Sequence, residues 1–82
     1  MVQEAIYVGQ IMQWREDEIP KGWVLCDGQY LAKKDFMALF DLMGTAFGAN
    51  ATHFAVPDFS GKAKKGYHYI ISPWGIYPNA AK

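Results

Sequence analysis

Residues 19–29 read Ile-Pro-Lys-Gly-Trp-Val-Leu-Cys-Asp-Gly-Gln and form the most informative stretch of the chain. Pro20 fixes its own φ and removes a hydrogen-bond donor, while Gly22 permits backbone angles that other residues avoid. Large and smaller residues alternate from Trp23 to Asp27-Gly28, a dipeptide typical of hairpin turns. The stretch therefore predicts a rigid connection, a short strand and a tight turn, in that order.

Three further blocks accompany this stretch. They are residues 7–11 (Tyr-Val-Gly-Gln-Ile), 39–48 (Leu-Phe-Asp-Leu-Met-Gly-Thr-Ala-Phe-Gly) and 54–61 (Phe-Ala-Val-Pro-Asp-Phe-Ser-Gly). In order and spacing, the four blocks resemble the phage tail collar domain family of short tail fibres and microcystin-dependent proteins, over residues 5–61. The resemblance implies a structural protein and not an enzyme. It would act as a homotrimeric collar or cap at a tail fibre or its tip, in a phage, a prophage-derived particle or a related contractile injection apparatus.

The same resemblance implies where the chain is located and what it lacks. The expected location is the virion tail, in contact with other tail fibre or baseplate proteins. Residues 69–78 resemble the closing segment of longer relatives, and only Lys62 to His68 separate them from the fourth block. The resemblance therefore implies a minimal form that lacks the inserted head. In some fibres of the family, that head carries His-x-His metal ligands. His53 and His68 are isolated from one another in sequence, so we expect neither a metal nor a cofactor.

Length and composition favour one small domain, residues 1–82, that gains stability from association. A chain of 82 residues buries only about 60% of its unfolded surface, so a monomer is expected to be marginally stable. One cysteine excludes an intrachain disulfide. Hydrophobic residues reach 51% and aromatic residues 16%, more than a small interior can hide. Some large rings are therefore expected at subunit or partner contacts.

Charge and hydropathy argue against two classes of partner. Eight basic and eight acidic residues give a formal net charge of zero, which provides no field to attract nucleic acid. No apolar run reaches the ~20 residues of a membrane span, and the N-terminus has no signal-peptide pattern. We therefore expect synthesis in the host bacterial cytoplasm and no membrane insertion.

The pattern of apolar residues predicts an α+β fold of short, mostly antiparallel strands with one helix at about residues 33–43. The helix follows from an apolar stripe at i, i+3, i+4, i+7 that Gly44 terminates. Strands are predicted at residues 5–14, with a bend at Gly9, and at 53–56 and 67–71. The stripe consists of Phe36, Leu39, Phe40 and Met43, and the rest of the predicted core is Trp23, Leu25, Phe47, Phe54 and Val56.

Two groups of residues are predicted to make contacts. The aromatic ending, Tyr67, Tyr69, Trp74 and Tyr77, is a predicted subunit interface, with Trp74 in the Pro73-Trp74-Gly75 turn as its anchor. The three-lysine cluster near the C-terminal strand is a solvated loop or a contact for a polyanion such as an acidic polysaccharide, lipopolysaccharide phosphate or an acidic partner loop; it consists of Lys62, Lys64 and Lys65.

Two other functions compete with the structural one. In the first, the chain is a carbohydrate-binding module that adheres to a host surface glycan. In the second, it is a small hydrolase using Cys26 and His53, although a cysteine in an apolar strand is more typical of a buried thiol. Asp27 and Asp58 each adjoin a turn residue, which indicates carboxylates that order loops. We accordingly predict no catalytic residues.

Overall fold

The computed structural model describes residues 6–78, in which five strands and one helix occur. The strands are β1 (Ile11–Arg15), β2 (Val24–Leu25), β3 (Tyr30–Ala32), β4 (His53–Ala55) and β5 (Tyr67–Ile71), and the helix is α1 (Met37–Met43). Every strand pair is antiparallel. The predicted α+β class is therefore confirmed.

The last strand forms the centre of the larger sheet, whose order is β1-β5-β2. Ile71 lies opposite Ile11 of β1 on one side and Val24 of β2 on the other. The predicted bounds of β5 are correct. The strand predicted at 5–14 starts later, at Ile11, because a turn with Gly9 at φ 87° precedes it, and residue 5 lies outside the described residues.

The Asp27-Gly28 turn does not close a hairpin, and that prediction is wrong. β2 pairs with β5, whereas β3 pairs with β4 in a separate two-stranded sheet, so the turn carries the chain between sheets. Asp27 Oδ1 accepts a hydrogen bond from the Gln29 amide (3.1 Å), and Gly28, at φ 82°, donates its amide to the Pro57 carbonyl (3.2 Å). Contact with the distant 57–58 segment, rather than a neighbouring strand, orders this turn.

The helix is shorter than predicted. Residues 31–32 belong to β3, and the chain then turns, so α1 begins only at Met37, with no side-chain cap at Phe36. Asp35 therefore precedes the helix. Gly44 ends the helix as predicted, and its amide bonds to the Phe40 carbonyl (2.6 Å). Within residues 6–78, no helix has the length and apolar character needed to cross a membrane.

The apolar stripe of α1 covers a core built from both sheets. Leu39 is fully buried, and Phe36, Phe40 and Met43 pack against the core as predicted. The Phe40 ring lies 5.3 Å from that of Phe54, centroid to centroid. The buried members of the core are Val8, Cys26, Leu31, Leu39, Phe54, Val56 and Ile71.

Three of the five other predicted core residues are placed differently. Phe54 and Val56 are buried, but Phe47, beyond the helix end, is 50% exposed. Trp23 and Leu25 are only half-buried and lie outside the core cluster. Alternate residues of a strand point to opposite faces, and here Val24 and Cys26 take the inner face. The prediction of alternating residues was correct, but it assigned the inner face to Trp23 and Leu25 instead of Val24 and Cys26.

Candidate functional site

Two segments far apart in sequence form an exposed apolar ridge, which we define as Ile6, Tyr7, Trp74, Ile76 and Tyr77. Each of these side chains is between 44% and 54% exposed. The Val8 amide donates to the Ile76 carbonyl (2.9 Å), and the Ile76 amide donates to the Ile6 carbonyl (2.9 Å). This parallel bridge holds the two segments side by side.

Hydrogen bonds of the buried Ser72 hold the turn that carries Trp74. Ser72 is buried, and its hydroxyl donates to the Trp74 carbonyl (2.7 Å) and accepts from the Trp74 amide (3.3 Å). Gly75 has φ 117°, and the position that a Cβ would take there is occupied by the Ile6 carbonyl. Only glycine therefore allows the two segments to approach this closely.

Two contacts join the ridge to the helix region. The Trp74 ring packs on Phe36 with centroids 5.5 Å apart. The Tyr77 hydroxyl donates to Asp41 Oδ2 (2.6 Å), and this hydrogen bond raises the pKa of Tyr77. Rings held in this way are positioned before any partner arrives, which lowers the entropic cost of binding.

The four predicted interface aromatics fall into two groups. Trp74 and Tyr77 lie in the ridge, whereas Tyr67 and Tyr69 lie on β5. Tyr69 is half-buried and packs edge-on against Phe59 (5.5 Å, 72°), as part of the layer around the core. Tyr67 is 37% exposed.

Sequence reasoning missed Ile6, Tyr7 and Ile76 as members of the ridge. Their hydrophobicity was visible in the sequence, but a parallel bridge between residues so distant along the chain leaves no local pattern.

The basic junction, residues 62–66, lies between the 58–61 turn and β5 and is bonded to β1 and to the residue after it. The Lys64 amide donates to Gln13 Oε1 (3.0 Å), and the Glu16 amide donates to the Gly66 carbonyl (3.0 Å). The Lys64 ammonium lies 4.5 Å from the centroid of the Tyr67 ring. Lys62, Lys64 and Lys65 are all exposed.

Cys26 does not have the environment of a nucleophile. It is 2% exposed, and burial, followed by the charge of Asp27, raises its pKa to about 11. The Nδ1 atom of His53 lies 2.7 Å from Thr52 Oγ1, and the two candidate residues line different clefts. A reactive thiolate needs a lowered pKa and an adjacent base, so the arrangement gives no support to the hydrolase hypothesis.

The two turn carboxylates order their own loops, as predicted. Asp58 accepts hydrogen bonds from the amide and hydroxyl of Ser60, which lower its pKa, while Asp27 accepts from the Gln29 amide. In the part of the chain from residue 6 to residue 78, no group of three or more His, Cys, Asp or Glu residues is arranged to hold a metal ion.

Comparison with known proteins supports the resemblance found in the sequence. The phage tail collar domain model matches residues 9–64, which include β1 to β4 and α1. The short tail fiber protein gp12 of Enterobacteria phage T4 is 30% identical over 66 residues, covering 79% of this chain. The aligned part is only 12% of the length of gp12. The family match extends over more than half of the sequence, and the chain therefore belongs to the phage tail collar domain family.

Proposed function

We propose that this chain is a structural component of a phage tail, a prophage-derived particle or a related contractile injection apparatus, placed at a tail fibre or its tip. The observation that carries the proposal is the apolar ridge on a chain of this family. Five large apolar side chains, each at least 44% exposed, are held in place by buried or bonded anchors. Large apolar side chains exposed close together on paired segments are characteristic of protein interfaces.

The proposed assembly is a homotrimer that acts as a collar or cap and meets other tail fibre or baseplate proteins. In a closed cyclic trimer, each subunit would bury its ridge against the next and remove Trp74 and Tyr77 from water. Tyr67 lies at the end of β5 away from the ridge, and Tyr69 packs against Phe59, so an interface role for these two rings stays a prediction. A single domain with so small a core gains most from such burial.

The short junction favours a scaffolding role over direct receptor recognition. Longer relatives are expected to carry a head between the 58–61 turn and β5, and this chain places five residues, 62–66, there. The junction is bonded to β1 through Lys64 and to the residue after β1, Glu16, through Gly66. A contact of Lys62, Lys64 and Lys65 with an acidic partner stays a prediction.

The mass of the full chain in solution tests the trimer. Light scattering at micromolar concentration is expected to give three times the 9.2 kDa chain mass. Because a buried tryptophan commonly contributes about 2 kcal/mol or more to an interface, Trp74→Ala should weaken association by roughly 30-fold. Met37→Ala is the matched control, since Met37 is 68% exposed and lies outside the ridge. A monomeric wild-type chain, or equal weakening by both variants, would contradict the proposal.

Carbohydrate binding is a second candidate, favoured by one cleft. Trp23 and the exposed Trp74 line a hollow of about 210 Å³ together with Lys21 and Ser72. Exposed tryptophan faces and polar groups at a cleft suit the apolar and hydroxyl surfaces of sugars. In this case Trp74→Ala would abolish glycan binding, measured by titration, without changing the mass of the assembly.

A further inference from the structure

One cleft in residues 6–78 lies away from the ridge and the basic junction, and we propose that it binds a phosphate monoester of a small, sugar-sized molecule. It measures about 460 Å³ and lies where the chain leaves β3 and enters β4. The residues lining it are Ala32, Lys33, Lys34, Ala51, Thr52 and His53. This proposal is independent of the trimeric assembly.

The charge of this cleft is one-sided. Two of its six lining residues are lysines and none is acidic. Arg15 and Asp17 form an ion pair in the described part of the chain, whereas neither Lys33 nor Lys34 forms one with a carboxylate there. A separate cleft has the opposite character, since Glu16 and Asp27 line it. On a chain of zero net charge, the lysine-lined cleft is thus a local site for an anion.

The donors around the cleft are held in place. The Lys33 amide donates to the Thr52 carbonyl (2.9 Å), and its ammonium lies 4.7 Å from the centroid of the Phe40 ring. Asn50 Oδ1 accepts from the amides of Thr52 (2.9 Å) and His53 (2.8 Å). The two walls are therefore tied to one another and to the helix before a ligand binds.

The His53 ring is also held at the cleft wall. Thr52 Oγ1 donates to Asn50 Oδ1 (3.4 Å) and lies 2.7 Å from His53 Nδ1, so the hydroxyl links the imidazole to the loop. The ring adds a fixed polar group to the lining beside the two lysines.

Two lysine ammoniums suit the free oxygens of a phosphate ester, because lysine binds phosphate as a point charge rather than through a planar fork. The volume also exceeds what an inorganic anion needs and lies within the range of small-molecule sites. The methyl groups of Ala32 and Ala51 leave room for the organic part of the ligand. These features favour a phosphorylated small molecule over free phosphate.

Titration of the full chain with glucose 6-phosphate, inorganic phosphate and glucose tests this site, with backbone amide shifts in NMR spectra as the readout. Glucose 6-phosphate is expected to shift the amides of Lys33, Thr52 and His53 and to bind more tightly than inorganic phosphate, whereas glucose should cause no shift. Equal affinity for glucose 6-phosphate and inorganic phosphate would overturn the ester assignment. Shifts clustered elsewhere would overturn the site itself.

Charge-matched variants complete the test. The double variant Lys33→Gln/Lys34→Gln should weaken binding by about tenfold or more, because charge-assisted hydrogen bonds are stronger than neutral ones. The control Lys62→Gln/Lys64→Gln removes the same charge outside the cleft and should change affinity by less than about twofold at ~0.15 M salt. If Lys33→Gln disturbs packing on Phe40, the Lys34→Gln variant alone must still weaken binding. Equal loss in both double variants would show unspecific attraction and refute the proposal.

Discussion

Replacing Gly75 with alanine tests how the ridge is built. Gly75 has φ 117°, and a Cβ there would overlap the Ile6 carbonyl, which accepts the Ile76 amide bond. The positive φ costs an alanine about 1–2 kcal/mol. Moving Ile6 away also disrupts two backbone hydrogen bonds, Val8 to Ile76 and Ile76 to Ile6, at about 0.5–1.5 kcal/mol each. The pairing of the two segments should therefore lose about 2–5 kcal/mol.

Gly66→Ala separates the two contributions. Gly66 has φ 87°, and no atom lies within 4 Å of the position that a Cβ would take, so this variant carries the backbone penalty without the overlap. Gly75→Ala should lose about 1–3 kcal/mol more of unfolding free energy than Gly66→Ala. If this loss is global, the Tm of Gly75→Ala should be at least about 4 °C below that of Gly66→Ala in a domain of this size. Part of the loss can instead appear as local opening of the two paired segments.

Hydrogen exchange at the amides of Val8 and Ile76 reports that opening directly. Both amides are bonded only through the bridge between the segments in the described structure, so both should lose protection in Gly75→Ala and keep it in Gly66→Ala. Unchanged protection in Gly75→Ala, together with a Tm equal to that of Gly66→Ala, would refute the account of the ridge.

Two further predictions concern the interior. Leu39→Ala should destabilise the domain by about 2–5 kcal/mol in denaturant unfolding, because it opens a cavity at a fully buried position. Leu42→Ala, at a 40% exposed position of the same helix, should destabilise it much less. Similar losses in the two variants would contradict the assignment of the buried helix face. Cys26 should resist thiol reagents near pH 8 in the folded chain. Because its folded pKa is raised to about 11 from an ordinary 9.0, the folded state retains a proton that the unfolded state loses, so stability should fall as pH rises from about 9 to about 11. Cys26→Ala should reduce that decline, and an unchanged pH profile in this variant would show that other groups cause it.

Local signals in the sequence sufficed for some elements. The run of β-branched and aromatic residues in β5, preceded by Gly66, gave the strand its correct bounds. The stripe on α1 and its stop at Gly44 were likewise correct, because helical spacing and a C-terminal glycine are properties of a single element.

The errors arose where a distant segment overrode a local preference. Asp27-Gly28 favours a hairpin by itself, but the Gly28 amide is bonded to Pro57. The helix was predicted to begin too early, because Leu31 and Ala32 pair with Phe54 and His53 in β4 and the chain then turns before α1. The ridge depends on a bridge between Tyr7 and Ile76, and the lysine-lined cleft on the approach of Lys33 to Thr52. None of these pairings can be read from spacing along the chain.

The central place of β5 has a consequence for the order of folding. Its partners are β1, where Ile11 meets Ile71, and β2, where Val24 meets Ile71, so the larger sheet depends on contacts between distant parts of the sequence. The smaller sheet and the helix use residues 30–55 alone. Contacts of high sequence separation require costly loop closure and form slowly. We expect residues 30–55 to collapse first, leaving β1 and β2 unpaired and open to aggregation until β5 arrives between them.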